Sequence, residues 1–318
     1  MLTPAAPGPS ILVVGSINSD LVLRTPRLPL LGESLLAKAY SRVAGGKGAN
    51  QAVAVTRLGA RTTFVGRIGT DAEGETLKAC LRAEGVCTDF LHTCSAPTGL
   101  AVITIDDKGQ NSIVVVPGAN NEVTEEDVHA ALSADSYDAV LVQFEIPAET
   151  VIAVCSHAAR RGVPVLIDAG PAQRFPLEKL RGITILTPNE TETLSLTGIE
   201  PDTRQAAHAA ANILLQRSGA HAVVIKLGER GALLYGSDGM CEHYPGYRVS
   251  SVDSTASGDA FTAAVTIEYV RTGDLRRAVM VGNAAGALAT TRFGAQPSLP
   301  TTQALEEFCT SRGIAYAD

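Results

Sequence analysis

Short apolar runs recur along the chain, separated by segments whose apolar residues are spaced three to four positions apart. The apolar runs occupy residues 11–14, 63–65, 139–142, 163–167, 184–186 and 222–225. Each run has the composition of a strand buried on both faces of a parallel sheet. The helically spaced segments occupy residues 51–58, 73–84, 147–160 and 203–217, and another helix is expected after a capping segment at residues 124–127. Strands alternating with helices predict an α/β fold with a doubly wound, mostly parallel sheet flanked by helices.

Two stretches depart from this alternation. Residues 21–40 and 98–116 are rich in β-forming residues, and residues 106–109 have the composition of a turn. Hairpins do not fit inside a parallel sheet, so these stretches predict a second, smaller sheet. The last third of the chain has helical patterns over residues 258–271, 275–290 and 303–309. Because no linker is evident, we expect one domain over residues 1–318 that contains the strands of the small sheet.

Composition narrows the class of protein. The charged fraction is 19% and the formal net charge is -7, whereas a nucleic-acid surface would need a basic face. Six cysteines form no C-x-x-C pair and have no histidine cluster at zinc spacing, which favours reduced thiols. No apolar stretch approaches the roughly 18 residues of a membrane span, and the first nine residues lack the features of a secretion signal. We expect a cytoplasmic protein with small-molecule partners and no nucleic-acid or membrane partner.

The most informative segment covers residues 251–261, where small residues lead into a predicted helix start. Amides at a helix N-terminus attract anions, so Ala256, Ser257 and Gly258 are candidates for a phosphate-binding anion hole. Asp259 would stand beside that phosphate as the candidate general base, although aspartate is also a common helix N-cap. This pattern indicates phosphoryl transfer.

A second glycine-rich turn, over residues 44–51, leads into another predicted helix and carries the polar heads of Lys47 and Asn50. Two such turns indicate transfer to a small polar acceptor. The chain has no G-x-x-x-x-G-K-[ST] phosphate loop, and Gly15 is not followed by a dinucleotide-binding turn. It also lacks H-E-x-x-H and G-x-S-x-G, which excludes the metalloprotease and serine-hydrolase motifs.

Polar or glycine residues follow four of the predicted strands, at Asn18, Glu145, Asn189 and Gly228. Ligands of open α/β sheets bind at the carboxyl ends of the strands. We therefore expect these four residues to converge on one edge of the sheet.

The two glycine-rich segments, in this order, resemble the two signatures of the ribokinase family of carbohydrate kinases. The resemblance continues through N-S-D at residues 18–20, Q-F-E at 143–145, P-N-E-T-E at 188–192, L-G-E-R-G at 227–231 and T-R-F-G-A-Q-P-S at 291–298. It covers nearly the whole chain, from about residue 11 to the last helix. It implies ATP-dependent phosphorylation of D-ribose at the 5-hydroxyl. It also implies that the small sheet forms a lid over the sugar and the contact of a homodimer.

The resemblance assigns expected functions to individual residues. The residues implied at the ribose are Asn18, Asp20, Gly46, Lys47, Asn50 and Glu145, with Asp259 as the base and residues 256–259 as the anion hole. The residues implied at the nucleotide are Asn189, Glu192, Lys226, Gly228, Gly231, Gly258 and Asn283, the first two linked to Mg²⁺ through water. The residues implied around an activating K⁺ are Asp253, Thr255, Ala289, Arg292, Gly294 and Ser298.

Three positions depart from the family pattern. Lys226 stands where threonine is more usual, Ser254 replaces threonine, and Ser257 replaces alanine or glycine. The alternatives to ribose are another acceptor within the family, such as fructose, a keto-deoxy sugar acid or adenosine, and a catalytically silent sugar-binding regulator. The absence of tryptophan and the low aromatic content weaken the nucleoside alternative. The intact Gly258 and Asp259 argue against the silent regulator.

Overall fold

The computed structural model describes residues 8–316, and its strands form two separate sheets. In chain order the strands are β1 (Ser10–Val14), β2 (Asn18–Arg24), β3 (Ala39–Gly45), β4 (Arg61–Gly69), β5 (Cys87–Cys94), β6 (Gly99–Ile105), β7 (Asn111–Val116), β8 (Ala139–Gln143), β9 (Val165–Asp168), β10 (Ile183–Leu186), β11 (Ala222–Lys226), β12 (Ala232–Gly236) and β13 (Cys241–Tyr244). The α-helices are α1 (Lys47–Arg57), α2 (Ala72–Ala83), α3 (Glu125–Ala134), α4 (Ala148–Arg160), α5 (Glu190–Thr197), α6 (Arg204–Ser218), α7 (Ser257–Thr272), α8 (Leu275–Ala289) and α9 (Thr302–Thr310).

The large sheet has the strand order β13-β12-β11-β10-β9-β8-β1-β4-β5. From β11 to β5 in this order all neighbouring strands run parallel, while β12 and β13 join antiparallel at one edge. Every residue of β1 and β8 is buried, which explains why these strands are continuous apolar runs in the sequence. The predicted doubly wound, mostly parallel sheet is confirmed.

The order of the strands reverses between β1 and β8. The sheet continues from β1 to β4 and β5 on one side, and from β8 through β9, β10 and β11 on the other. In open α/β sheets, the crevice at the carboxyl ends of the strands beside such a reversal is the usual ligand site. The topology therefore predicts that the residues that follow β1 and β8 border a ligand site.

Helices cover both faces of the large sheet. One apolar core includes side chains of α1, α7 and α8, with Phe261 among them, and the other includes side chains of α3, α4 and α6, with Leu214 among them. The predicted helices are present, but α1 begins at Lys47, inside the glycine-rich turn. Thr124 and Asp127 form the predicted capping segment of α3, each side chain bonding to the other residue's amide. No helix within residues 8–316 is long and apolar enough to cross a membrane.

The small sheet has the strand order β3-β2-β6-β7. β2 pairs with β6 in parallel, whereas the β2–β3 and β6–β7 pairs are antiparallel, and the β6–β7 hairpin contains the predicted turn at residues 106–109. The predicted β-rich stretch over residues 21–40 is wrong in its extent. β2 begins at Asn18, and residues 25–38 contain no strand. Pro26 and Pro29 lie in that gap and lack the N–H group that a sheet ladder requires.

Three strands of the large sheet lie outside the predicted apolar runs. They are β5 at one edge and the hairpin of β12 and β13 at the other. Only Thr88 and Leu91 of β5 are buried, so this strand has no continuous apolar run. The expected single domain includes residues 1–7 and 317–318, which lie outside the described residues. The prediction that the first nine residues lack a secretion signal also falls mostly on residues outside the described part. The single-domain organisation stays a prediction.

Candidate active site

The loops that follow β1 and β8 meet the start of α1 at the reversal of strand order. Ser16 Oγ donates a hydrogen bond to Glu145 Oε2 at 2.5 Å, and the Lys47 amide donates to the same oxygen at 3.1 Å. Gly46 caps α1 with a φ of 88°, and a Cβ at this position would lie 2.8 Å from the Asn18 nitrogen. Glycine alone permits this backbone approach. The first glycine-rich turn therefore packs directly on the strand that carries Asn18.

Asn18 and Asp20 lie two positions apart on β2, so their side chains share one face of the small sheet. Asn18 Oδ1 accepts a hydrogen bond from Asn120 Nδ2 at 2.7 Å. Asp20 is buried, and its Oδ1 has no hydrogen-bond partner among the described residues. Burial, together with the charges of Glu145 and Asp259, raises the pKa of Asp20 to about 7. A buried acceptor without a donor is costly, and a ligand hydroxyl would relieve this cost.

Asp259 lies in the first turn of α7 and faces the first turn of α1. Asn50 Nδ2 donates to its Oδ2 at 3.0 Å, Gln51 Nε2 donates to its Oδ1 at 2.9 Å, and Lys47 Nζ is 3.9 Å from Oδ1. Burial raises the pKa of Asp259 to about 6, although Lys47 and the two amide donors act in the opposite direction. A carboxylate with this pKa is a stronger proton acceptor than a free aspartate, whose pKa is about 3.9. The N-cap of α7 is Ala256, so the alternative that Asp259 is a helix cap is wrong.

The turn that precedes α7 has an unusual backbone. Ala256 has a φ of 60°, the one positive φ of a non-glycine residue within residues 8–316. Strained conformations of this kind are commonly retained at functional sites. The Ser257 amide donates to the Ser254 carbonyl oxygen at 3.2 Å and so closes the turn. The first-turn amides of Gly258 and Asp259 have no acceptor within the helix, so they are better placed than the Ser257 amide to bind an anion.

A cavity of about 820 Å³ opens beside the N-terminus of α7. A volume in this range suits a nucleotide-sized ligand. Five of the residues expected at the nucleotide line this cavity: Lys226, Gly228, Gly231, Gly258 and Asn283. Asn283 Nδ2 donates to the Tyr244 carbonyl oxygen at 3.2 Å, so this amide also holds the end of β13 against α8.

Asn189 and Glu192 are joined as the capping box of α5. Asn189 Oδ1 accepts from the Glu192 amide at 2.8 Å, and Glu192 Oε2 accepts from the Asn189 amide at 2.7 Å. A Cβ at Gly170 would lie 2.5 Å from Glu192 Oε1 and 2.7 Å from Lys47 Nζ. The structure therefore brings Glu192 close to the centre of the site. Asn189 acts here as a helix cap.

Asp253 joins the two loops that were expected to hold a monovalent cation. Its Oδ1 accepts from the Thr255 amide at 2.9 Å, and its Oδ2 accepts from the Gly294 amide at 2.9 Å. Burial would raise the pKa of Asp253, but the bonds from Thr255 and Gly294 outweigh burial and lower it. Ala289 and Arg292 are linked by a turn, since the Arg292 amide donates to the Ala289 carbonyl oxygen at 3.3 Å. Ser298 is buried, and its hydroxyl donates to the Ala295 carbonyl oxygen at 2.8 Å.

Comparison with known proteins places this geometry in a family. Residues 9–302 match the pfkB family of carbohydrate kinases. The chain belongs to the pfkB family. It is 38% identical to the ribokinase of Haemophilus influenzae over 302 residues, which cover 94% of this chain and 98% of that protein. It is 32% identical to the deoxyribokinase of Salmonella typhi, with 94% of this chain and 98% of that protein covered.

A solved structure supports the same assignment. The Arabidopsis thaliana ribokinase complexed with ribose and ATP superimposes with a TM-score of 0.86 at 33% identity, covering 98% of this chain and 100% of that one. The ribokinase-like fold of this pfkB protein, with its large and small sheets, is therefore confirmed.

One central residue of this pfkB site was missed by the sequence analysis. Asp168 ends β9 and is wholly buried. Its Oδ1 accepts from Lys226 Nζ at 2.5 Å, and its Oδ2 accepts from Lys47 Nζ at 3.1 Å and from Gln51 Nε2 at 2.9 Å. Burial would raise the pKa of Asp168, but the two lysines lower it. The signal was present, because this residue directly follows the predicted strand at residues 163–167, at the same edge as Glu145.

Three further polar residues of the site also escaped the sequence analysis: Gln51, Asn120 and Gln143. Gln51 donates to both Asp168 and Asp259, and it accepts from Gln143 Nε2 at 2.6 Å. Gln51 and Gln143 lie inside the motifs at residues 44–51 and 143–145, but the sequence assigned them no function, so only the fold identifies their contacts.

The buried charge of Asp20 gives a prediction about stability. Asp20→Asn should raise the free energy of unfolding of the ligand-free protein at pH 8 by roughly 2 to 4 kcal/mol. The folded protein keeps the Asp20 proton up to a pH of about 7, whereas the ordinary pKa is 3.8. Stability therefore falls as the pH rises from about 4 to about 7, and a neutral asparagine removes this loss.

Urea unfolding at pH 4 and pH 8 measures the effect. Asp89→Asn, at an exposed position of β5, is the matched control and should change stability equally little at both pH values. Equal stability of Asp20→Asn and the wild type at pH 8 would contradict the burial cost assigned to Asp20.

Proposed function

We propose that this chain is an ATP-dependent kinase that phosphorylates D-ribose at its 5-hydroxyl. One observation carries the proposal. The Asp259 carboxylate accepts a hydrogen bond from Asn50 and lies close enough to the buried Asp20 to raise its pKa, while its neighbour Gly258 lines the large cavity. A proton acceptor between a hydroxyl site and an anion site is the arrangement that phosphoryl transfer requires. The relatives that are ribokinases, one of them complexed with ribose and ATP, support these substrates.

In the proposed reaction, Asp259 accepts the proton of the 5-hydroxyl while the hydroxyl oxygen forms a bond to the γ-phosphorus. The bond between that phosphorus and the oxygen of the β-phosphate breaks, and ADP leaves with the electron pair. Asn50 and Gln51 hold one carboxylate oxygen each, so the base has a fixed direction before the sugar arrives. A positioned base contributes about 100- to 10,000-fold to the rate.

The acceptor pocket is built for hydroxyl groups. Asp20 Oδ1 and Asn50 Oδ1 are both buried and have no hydrogen-bond partner among residues 8–316. Secondary hydroxyls of a sugar can donate to both oxygens, with Asn18, Gly46 and Glu145 completing the pocket. This arrangement favours a sugar that keeps all its hydroxyls, since each missing hydroxyl leaves a buried acceptor unpaired.

The donor chemistry also fits the expected Mg²⁺. Asn189 and Glu192 offer oxygen ligands, which Mg²⁺ prefers, and they bond to each other, which favours contact through water. When bound, Mg²⁺ would neutralise charge on the triphosphate. Glu192 would hold its hydration shell, and Asn189 would keep that carboxylate oriented.

A monovalent cation fits the loops around Asp253. We propose that this carboxylate and backbone oxygens of Thr255, Ala289, Arg292, Gly294 and Ser298 hold K⁺. The hydrogen bonds of Asp253 to Thr255 and Gly294 already hold the two loops together. A bound K⁺ would stiffen the turn that leads into α7 and thereby its anion-binding amides.

The exposed side of the small sheet supports a homodimer. β7 is exposed along its length, and Ile113 and Val114 have exposed fractions of 53% and 62%. Contiguous apolar surface of this kind is typical of protein contacts. We propose a dimer through this sheet, and sedimentation as a monomer at micromolar concentration would contradict it.

We also infer a cytoplasmic location, which the six free cysteines support.

An acceptor panel tests the proposed function. With ATP and Mg²⁺, kcat/KM should be highest for ribose and about tenfold or more lower for 2-deoxyribose, because an unpaired buried group costs about 1 to 3 kcal/mol. Fructose or adenosine as the best acceptor would assign the protein to another branch of the family. Equal values for ribose and 2-deoxyribose would remove Asp20 from hydroxyl recognition. ATP binding without turnover of any acceptor would favour the silent regulator.

The base assignment has its own test. Asp259→Asn should lower kcat by about 100-fold or more while the Kd for ribose changes by less than about threefold, because shape is kept and basicity is lost. In the wild type, kcat/KM should fall as the pH drops below about 6, where Asp259 takes up a proton. Asp89→Asn is the surface control. Retention of about a tenth of the wild-type kcat would exclude Asp259 as the base.

The cation assignment predicts activation by K⁺. Activity should be several-fold higher in K⁺ than in Li⁺ at equal ionic strength, because K⁺ would order the turn before α7. Asp253→Asn should raise the K⁺ concentration needed for half activation, since it removes the one carboxylate of the proposed site. Activity that is equal with and without K⁺ would show that these loops hold no functional cation.

A further inference from the structure

Lys226 places a buried positive charge on the nucleotide side of the site. It is the last residue of β11, its exposed fraction is 8%, and it lines the large cavity. Its ammonium group donates to Asp168 Oδ1 at 2.5 Å. A lysine is rarely buried to this extent without a partner or a function.

The position of this ammonium group relative to α7 is more specific. A Cβ built on Gly258 would lie 3.6 Å from Lys226 Nζ. Apart from the immediate chain neighbours and the backbone of the same helix, no other described heavy atom lies within 4 Å of that point. The Lys226 charge therefore borders open space directly beside the amides that would bind the phosphate.

Asp168 holds one lysine on each of its oxygens. Lys47 also lies 3.9 Å from Asp259, and so belongs to the acceptor side, whereas Lys226 belongs to the cavity side. The same site contains the carboxylates of Asp20, Glu145 and Glu192. A triphosphate would add further negative charge, and a preorganised cation at its edge would stabilise the charge that develops during transfer.

We propose that Lys226 is a catalytic residue that contacts the γ-phosphoryl group during transfer, and that Asp168 is the positioning residue that holds it at the cavity. This inference rests on the proposed function. The hydroxyl oxygen bonds to the γ-phosphorus, its proton goes to Asp259, and the bond to the ADP oxygen breaks. Lys226 exchanges no proton in this step and stabilises the negative charge of the phosphoryl oxygens.

A purely structural function of Lys226 predicts a different pattern of ligand affinities from a contact with the γ-phosphoryl group. If Lys226 only neutralised Asp168, its loss would weaken ADP, ATP and ribose alike and would lower stability. If it contacts the γ-phosphoryl group, its loss weakens only nucleotides that carry that group. The comparison of ADP with a γ-phosphate-bearing analogue therefore separates the two functions.

The experiment uses Lys226→Met in the full chain, with the exposed Lys179→Met as the matched control. Calorimetry with Mg²⁺ should show that the variant binds the non-hydrolysable β,γ-imido analogue of ATP about tenfold or more weakly than the wild type does. This is the loss expected when one charge-assisted hydrogen bond is removed. Affinities for ADP and ribose should change by less than about threefold, and kcat should fall by about 30-fold or more. Lys226→Arg should recover part of kcat, because it restores the charge.

Asp168→Asn/Lys226→Met guards against a folding defect, since it also removes the buried carboxylate charge that would otherwise keep Lys47 as its remaining cationic partner. This double variant should show the same selective loss of affinity for the imido analogue. The inference is overturned if either variant binds the analogue as the wild type does, or if ADP and ribose weaken as much as the analogue. Failure of the proposed function is a separate result, because the wild-type protein would then phosphorylate no ribose. The comparison of ADP and imido-analogue affinities would still measure whether Lys226 contacts the γ-phosphate.

Discussion

The contact between the first turns of α1 and α7 sets the geometry of the whole site. Asn50 and Gln51 donate to the two oxygens of Asp259, and both helices begin in turns made of small residues. α1 starts against β2, which carries the acceptor-side residues, while α7 starts beside the large cavity. Two hydrogen bonds therefore fix the distance between the proposed hydroxyl site and the proposed phosphate site. In phosphoryl transfer, that distance and direction account for most of what the protein contributes.

Burial and neighbouring charges give the acidic side chains of this site different pKa values. The pKa of Asp20 rises to about 7 and that of Asp259 to about 6, because both are withdrawn from water among other acids. The pKa of Asp168 is lowered, because Lys47 and Lys226 contact its two oxygens. One fold thus favours the charged form of Asp168 beside Asp259, the proposed base, whose pKa is about 6. Burial of Asp20 and Asp259 disfavours their charged forms, and such energetic costs are commonly retained at functional sites.

Local sequence predicted most of the elements, and its errors have identifiable causes. The central strands were found because burial on both faces makes them continuously apolar, whereas β5 at the edge is buried at only two positions and was missed. The small sheet was found from its β-rich composition, but Pro26 and Pro29 keep residues 25–38 out of it. The start of β2 at Asn18 depends on pairing with Gly45 and Gly99, which lie far along the chain. Such pairing is a tertiary property.

The sequence by itself determined the fold class and the two glycine-rich turns, and it predicted Asp259 with the polar residues of both turns as the candidate chemical centre. These features are local, because apolar periodicity and turn composition act over a few residues. Only the tertiary structure decided that Asp168 joins the two lysines, that Gln51 reaches Asp259, and that the Ser257 amide closes its own turn. Each of these contacts depends on where distant segments meet in space. The pKa values of Asp20 and Asp259 belong to the same class, because burial and neighbouring charge exist only after folding.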